Sequence, residues 1–269
     1  MKWILPFLLI NLLFLKELHA STSVIRLCYE DSNVFPWITG DEKGLAITQL
    51  KIVEKSLPIH IKFIRLPWKR CQIQARVGQV NGIIAASYTK ERTEWGTYPM
   101  DNNNKVDREY RTHTDSFFVY ARKESGITWN GNNFQNLGEN QVGVQLGYSV
   151  GNDLVDQGHK ILSSFKTPYD LFKALDSGMV KVAVLQNHAS AKSLKEHPEL
   201  GLKIERQEAP FKVADQYVVF NTTFFKNNST LCINIWKALA LSRKNPDYIK
   251  DEQAFLKETA TKKTGSANL

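Results

Sequence analysis

One phrase occurs twice in this chain. Val77-Gly78-Gln79-Val80-Asn81-Gly82-Ile83-Ile84 returns in the second half as Ser177-Gly178-Met179-Val180-Lys181-Val182-Ala183-Val184. Each copy reads as a helix end, a glycine in the usual C-terminal position and a buried strand. A chain that uses this unit in both halves is constrained to two similar α/β lobes, each with parallel strands covered by helices.

The flanking patterns fit that frame. Val24 to Tyr29 alternates like a strand, and the turn-prone stretch from Asp31 to Gly44 after it reads as a functional loop. Leu45 to Leu57 has mostly helical spacing and stops at Pro58, Ile59 to Leu66 alternates again, and Pro67-Trp68 opens a helix over Lys69 to Val77. Val80 to Ala86 is then a third strand. In the second half, Gln141 to Gln145 predicts a strand, Gly147 to Gly151 a turn, Asn152 to Gln157 a short helix, Pro168 to Ser177 a helix and Val180 to Leu185 a strand. Tyr217 to Phe220 predicts a strand that leads into helices over Ser229 to Ser242 and Tyr248 to Thr259, with a frayed tail from Lys262.

Composition is needed mainly to exclude. With 269 residues, 42% of them hydrophobic, 15 Gly and 9 Pro, the chain is neither disordered, collagenous nor a coiled coil. Residues 1–20 read as a secretory signal. Lys2 starts it, an apolar run follows, and Leu18-His19-Ala20 offers a cleavage site before Ser21. Asn11, Lys16 and Glu17 cut that run short of a membrane span, so export as a soluble protein is expected. The net charge of +8 is spread along the chain and does not indicate nucleic acid. Cys28, Cys71 and Cys232 permit at most one disulfide, match no zinc spacing, and read as buried structural thiols.

Seven short motifs then stand in a telling order. They are Phe35-Pro36-Trp37, Gly44, Pro67-Trp68-Lys69-Arg70, Gly78-Gln79-Val80-Asn81-Gly82, Ser87-Tyr88-Thr89-Lys90-Glu91-Arg92, Tyr98-Pro99, and Val142-Gly143-Val144-Gln145-Leu146-Gly147-Tyr148-Ser149. In that order the chain resembles the family 3 extracellular solute-binding proteins, the periplasmic receptors of amino-acid ABC importers, over nearly all of its length after residue 20. The resemblance implies an α/β fold of two lobes joined by two crossover strands, near Phe117 to Arg122 and near Phe211 to Tyr217. Residues 21–117 plus 216–269 would form lobe 1 and residues 118–215 lobe 2. Ligand would lie in the interlobe cleft, where parallel sheets bind in any case, and hinge closure would bury it. It further implies a monomer without cofactor or metal, working with a membrane permease or a sensor protein.

Arg92 is the strongest site candidate, because a guanidinium offers a planar donor fork to a carboxylate. Read alone, it fits equally a surface residue paired with Glu91 or Glu94. The resemblance assigns it to the ligand's carboxylate. Ser87 and Thr89 would add donors or cap the helix that follows. Ser149, with its neighbour Tyr148, matches them in lobe 2, again as a donor or a cap. Trp37 and Phe35 would form an apolar wall or simply pack, while Asp31, beside Glu30, falls where the family places a polar contact. Trp68 and Arg70 read as structural, with Arg70 within reach of the cleft.

One departure bears on the ligand. Where amino-acid receptors carry an Asp for the ligand ammonium, this chain has Gln186, which cannot pair with a buried cation. Either Asp31 or Glu30 compensates or the ligand lacks the ammonium. Asn81 and Lys181 also replace an Asp common in the two repeated phrases.

An enzyme is not expected. His60, His113, His159, His188 and His197 are dispersed, and no Gly-x-Ser-x-Gly elbow, His-Glu-x-x-His helix or Walker loop occurs. A few proteins of the implied fold are dehydratases of cyclic carboxylic acids. Glu30 or Asp31 could serve there as the acid, but the sequence identifies no second catalytic group.

Overall fold

The computed structural model describes residues 22–260, so the expected export signal and the expected frayed tail from Lys262 lie outside the described residues. In chain order the elements are β1 (Ser23–Glu30), α1 (Leu45–Ser56), β2 (Ile59–Leu66), α2 (Trp68–Arg76), β3 (Gly82–Ser87), α3 (Lys90–Thr93), β4 (Gly96–Thr97) and β5 (His113–Arg122). There follow β6 (Thr128–Trp129), β7 (Phe134–Gln135), β8 (Val142–Gln145), α4 (Val150–Asp156), β9 (Ile161–Phe165), α5 (Pro168–Asp176), β10 (Val182–Gln186), α6 (Asn187–Glu196) and α7 (Pro198–Gly201). The last are β11 (Ile204–Asn221), α8 (Thr222–Asn227), α9 (Ser229–Ser242) and α10 (Pro246–Ala260).

The large sheet runs β2-β1-β3-β11-β5-β10-β8-β9, with β4 pairing the end of β11. Its outer thirds are parallel: β1 with β2 and β3 on one side, β8 with β9 and β10 on the other. Between them β5 and β11 run antiparallel to each other and to β10 and β3. These two strands carry the chain from one parallel half to the other and back. Each half has its own core. Ile25, Leu50, Trp236 and Leu239 centre one cluster, beside Cys71, Trp95 and Val219 in a second. Phe117, Val142, Val184 and then Phe172, Leu175, Leu185 centre the clusters of the other half.

The repeated phrase has a physical basis in its glycines. Gly78 and Gly178 adopt φ of 74° and 78°, the left-handed conformation that closes a helix without a Cβ penalty. Both strands begin two residues later than the apolar pattern suggests. The amides of Val80 and Val180 still reach back to the Gln74 and Ala174 carbonyls at the helix ends, at 3.4 and 3.3 Å. Gly44, at φ 106°, ends the loop that carries Trp37, and a Cβ there would stand 2.4 Å from the Trp37 carbonyl oxygen. That loop is therefore pinned against the first turn of α1, whose Leu45 and Ala46 amides donate to the Pro36 and Trp37 carbonyls.

The cysteine expectation is corrected. Cys28 on β1 and Cys71 on α2 form a disulfide with their Cα atoms 5.5 Å apart, and Cys232 alone is a buried thiol. The pairing follows from the β2-α2-β3 crossover, which carries α2 over the intervening strand β1. Nothing in the spacing of 43 residues announces it. Among the described residues no helix is long and apolar enough to cross a membrane.

Candidate functional site

The parallel strands of both halves end at one place, and the chemistry gathers there. Glu30 ends β1, Ser87 ends β3 and Gln186 ends β10, while His113 and Gln216 come from β5 and β11. With Trp37, Trp68, Arg92, Tyr148 and Ser149 they line a single cavity between the halves. This is the carboxyl-edge position where open α/β sheets take their ligands.

Arg92 is buried at one end of the cavity. Its Nη1 donates to the Ser87 carbonyl at 2.7 Å and to Ser87 Oγ at 3.3 Å, and its Nη2 donates to the Gly147 carbonyl of the opposite half at 3.0 Å. Three of its N–H donors are thus directed to these oxygens, and the Tyr98 hydroxyl, which itself donates to the Ser87 carbonyl at 2.7 Å, is a further hydrogen-bond partner of the guanidinium. Gly147 is oversubscribed: Trp68 Nε1 and Gln72 Nε2 donate to the same carbonyl at 3.1 and 2.9 Å. A carbonyl oxygen has two lone pairs, so Arg92 can exchange this bond for a better acceptor and leave Gly147 satisfied. The Arg92 guanidinium also lies 5.6 Å over the Trp68 ring. Trp68, read as structural, is therefore part of the site wall. Glu91 and Glu94 take other partners, Asn152 and Arg76.

Ser87 Oγ donates to Ser149 Oγ at 2.7 Å across the halves. Ser149 makes no capping bond to α4, so its hydroxyl serves the cavity. Thr89 does the opposite. Its Oγ1 accepts from the Arg92 amide at 3.2 Å, capping α3, and it does not line the cavity. Tyr148 donates to Glu30 Oε2 at 2.8 Å. Burial, with Asp31 adding to it, pushes the Glu30 carboxyl up to about 8. Asp31 itself points away from the cavity and pairs with Lys166 of the opposite half at 2.9 Å. Phe35 also lies elsewhere, edge-on to Phe255 and beneath Lys192. Gln186 is on the wall, and its buried Oε1 has no partner among the described residues.

Trp37 stacks on His113 with ring centroids 3.7 Å apart and donates from Nε1 to Asp115 Oδ2 at 3.1 Å. Burial holds Asp115 up to about 7 and pushes the His113 imidazole well below its ordinary range. Neither His113 nor Asp115 is a site candidate from motif or spacing, since the histidines are dispersed along the chain. A usable signal exists: His113, Asp115, Phe117 and Val119 share one face of β5, and two polar residues on an otherwise core-facing stripe mark a special position.

No family model matches this sequence, and no curated protein does. Solved structures do match. A histidine kinase sensor domain with similarity to periplasmic binding proteins superposes with a TM-score of 0.71 at 14% identity, over 88% of this chain and 97% of that one. An ancestral arginine-binding protein bound to arginine gives 0.65 at 22% identity, over 87% and 99%. The substrate-binding protein of an amino-acid ABC transporter gives 0.66 at 14% identity, over 87% and 100%. The chain has the two-lobed periplasmic-binding-protein fold.

Proposed function

We propose that this chain is an exported binding protein that closes its two lobes, residues 21–117 plus 216–269 and residues 118–215, over a small carboxylate-bearing solute, an amino acid or a relative, for import by an ABC transporter. The observation that carries the reading is Arg92. It is a buried cation at the junction of the lobes, and one of its N–H donors is held only by a carbonyl that already has two other donors, so it is free to exchange that bond for a ligand oxygen. A carboxylate is the acceptor that suits such a fork. Ser87 and Ser149 would offer it hydroxyls from either lobe, and Trp37 and Trp68 would wall the apolar part of the solute. Tyr148 and Gln186 complete the polar lining. Bending of β5 and β11 would admit the solute and closure would bury it.

The likeness to a sensor domain favours a second reading. The same closed shape would then be presented to a membrane sensor protein instead of a permease. Genes for a permease and ATPase beside this one support import, and a sensor gene supports signalling.

The test is thermal melting of the protein from Ser21 onward and of its Arg92→Ala variant against amino acids, 2-oxo acids, dicarboxylates and short peptides. A ligand that prefers the folded state raises the midpoint, by about 2.7 kcal/mol of stability at a hundredfold excess over Kd. The expected result is a rise with a carboxylate compound that Arg92→Ala abolishes while its circular dichroism stays native. Unchanged affinity in the variant removes the proposal.

A further inference from the structure

His113 is the part of the cavity wall that a carboxylate clamp does not account for. It opens β5, is buried, and faces the same cavity as Arg92. Its Nδ1 lies 3.1 Å from Thr112 Oγ1, and that hydroxyl lies 2.9 Å from the Gln216 carbonyl oxygen. A hydroxyl has one proton and a carbonyl has none, so the Thr112 proton is committed to Gln216. Thr112 Oγ1 must therefore accept from Nδ1, and Nδ1 carries the ring hydrogen. Burial, with His188 nearby, keeps the imidazole neutral. Nε2 is left as a bare acceptor, with no partner among the described residues. The Trp37 stack holds the ring in place, and the Trp37–Asp115 bond holds Trp37. Gln186 Oε1 is a second unpartnered acceptor on the same wall.

We propose that His113 Nε2 is a specificity-determining group of the site, receiving an N–H or O–H donor of the solute whose carboxylate Arg92 holds. The inference rests on the Arg92 reading and adds the selection rule. Of two solutes with the same carboxylate and skeleton, the site takes the one that bears a donor over the one that bears a carbonyl. A carbonyl set against a bare ring nitrogen leaves two buried acceptors facing each other.

The experiment titrates the protein calorimetrically with L-arginine, L-glutamate and L-alanine, each against the 2-oxo acid of the same skeleton. It compares wild type with His113→Phe, which keeps a ring on Trp37 but removes the acceptor, and with His113→Gln, whose Oε1 restores one. Wild type is expected to prefer the amino member of a pair. His113→Phe should lose about tenfold in affinity for that member and leave the oxo acid unchanged, and His113→Gln should recover part of the loss. Equal affinities in His113→Phe and wild type overturn the inference. So do a loss shared by both members of a pair, a preference for the oxo acids, or no binding of any of the six compounds. Failure of the Arg92 reading shows separately, as Arg92→Ala binding a compound as tightly as wild type does, whatever His113→Phe does.

Discussion

Glu30 couples the site to stability through one proton. In the unfolded chain its carboxyl titrates near 4.5, and in the folded protein near 8. Below pH 4.5 both states hold the proton and the full contribution is present. Between the two values the folded state keeps a proton that the unfolded state has released, so stability falls by about 1.4 kcal/mol for each unit of rising pH, and above pH 8 the loss is complete. Glu30→Gln keeps an acceptor for the Tyr148 hydroxyl and removes the titration. Between pH 5 and pH 8 the wild-type melting temperature should therefore fall more steeply than that of Glu30→Gln, by on the order of 10 °C. Asp115, held up to about 7, shifts both proteins the same way, so the difference between the two profiles isolates Glu30. Parallel profiles would show that Glu30 is already ionised in the folded protein. At this scale the sequence is readable where a residue has a local partner. Thr89 and Arg92 are three apart, and the helix start between them was visible. His113 owes its role to Trp37 and Gln216, which are remote in sequence, and neighbouring residues give no hint of either.

Among the elements, α5 shows what a sequence can announce. Thr167 and Asp170 form a reciprocal capping box around Pro168, three residue types whose roles at a helix start are local. The strand β11 shows the reverse. Its residue pattern reads as a strand only over Tyr217 to Phe220, with a crossover near Phe211 to Tyr217 implied by the resemblance, yet the strand runs from Ile204 to Asn221, through register shifts on either side of Pro210. The first part alternates weakly because it is half exposed, and its proline cannot donate to the ladder. What makes it a strand is β5 beside it. The disulfide from β1 to α2 is invisible for the same reason, since contact between those elements depends on β2 being placed first. Closing a loop of 43 residues, this bond is expected to stabilise the fold by about 4 kcal/mol in the loop-entropy picture. Reduction, or the double change Cys28→Ser with Cys71→Ser, should then lower the melting midpoint by about 10 °C. Calorimetry under both conditions checks this, and a midpoint insensitive to reductant would show that the loop is already restrained without the bond. Cys232 is unpaired and buried, so it does not complicate the comparison.

For the whole molecule, the proposed function depends on the two halves meeting and parting. Three donors of one half converge on the Gly147 carbonyl of the other, Ser87 meets Ser149, Tyr148 meets Glu30, and Lys166 meets Asp31. All of these join one half to the other, with Arg92, Trp68, Ser87, Ser149, Tyr148 and Glu30 at the cavity itself, whereas β5 and β11 carry the connection. Motion about those strands therefore breaks a set of polar bonds that water can replace, and leaves both hydrophobic cores intact. If the cavity is filled by that motion, locking the halves together must stop exchange. The hydroxyl oxygens of Ser87 and Ser149 are 2.7 Å apart, close enough for cysteines at both positions to join. The Ser87→Cys, Ser149→Cys protein, oxidised in the absence of solute, should neither take up nor melt higher with a compound that stabilises wild type. With reductant, ligand uptake should return, weakened by the lost hydroxyls but measurable. A cross-linked protein, verified by mass, that binds solute at the wild-type rate would show that the cavity fills without the lobes opening. The hinge reading would then have to give way to entry through a fixed channel.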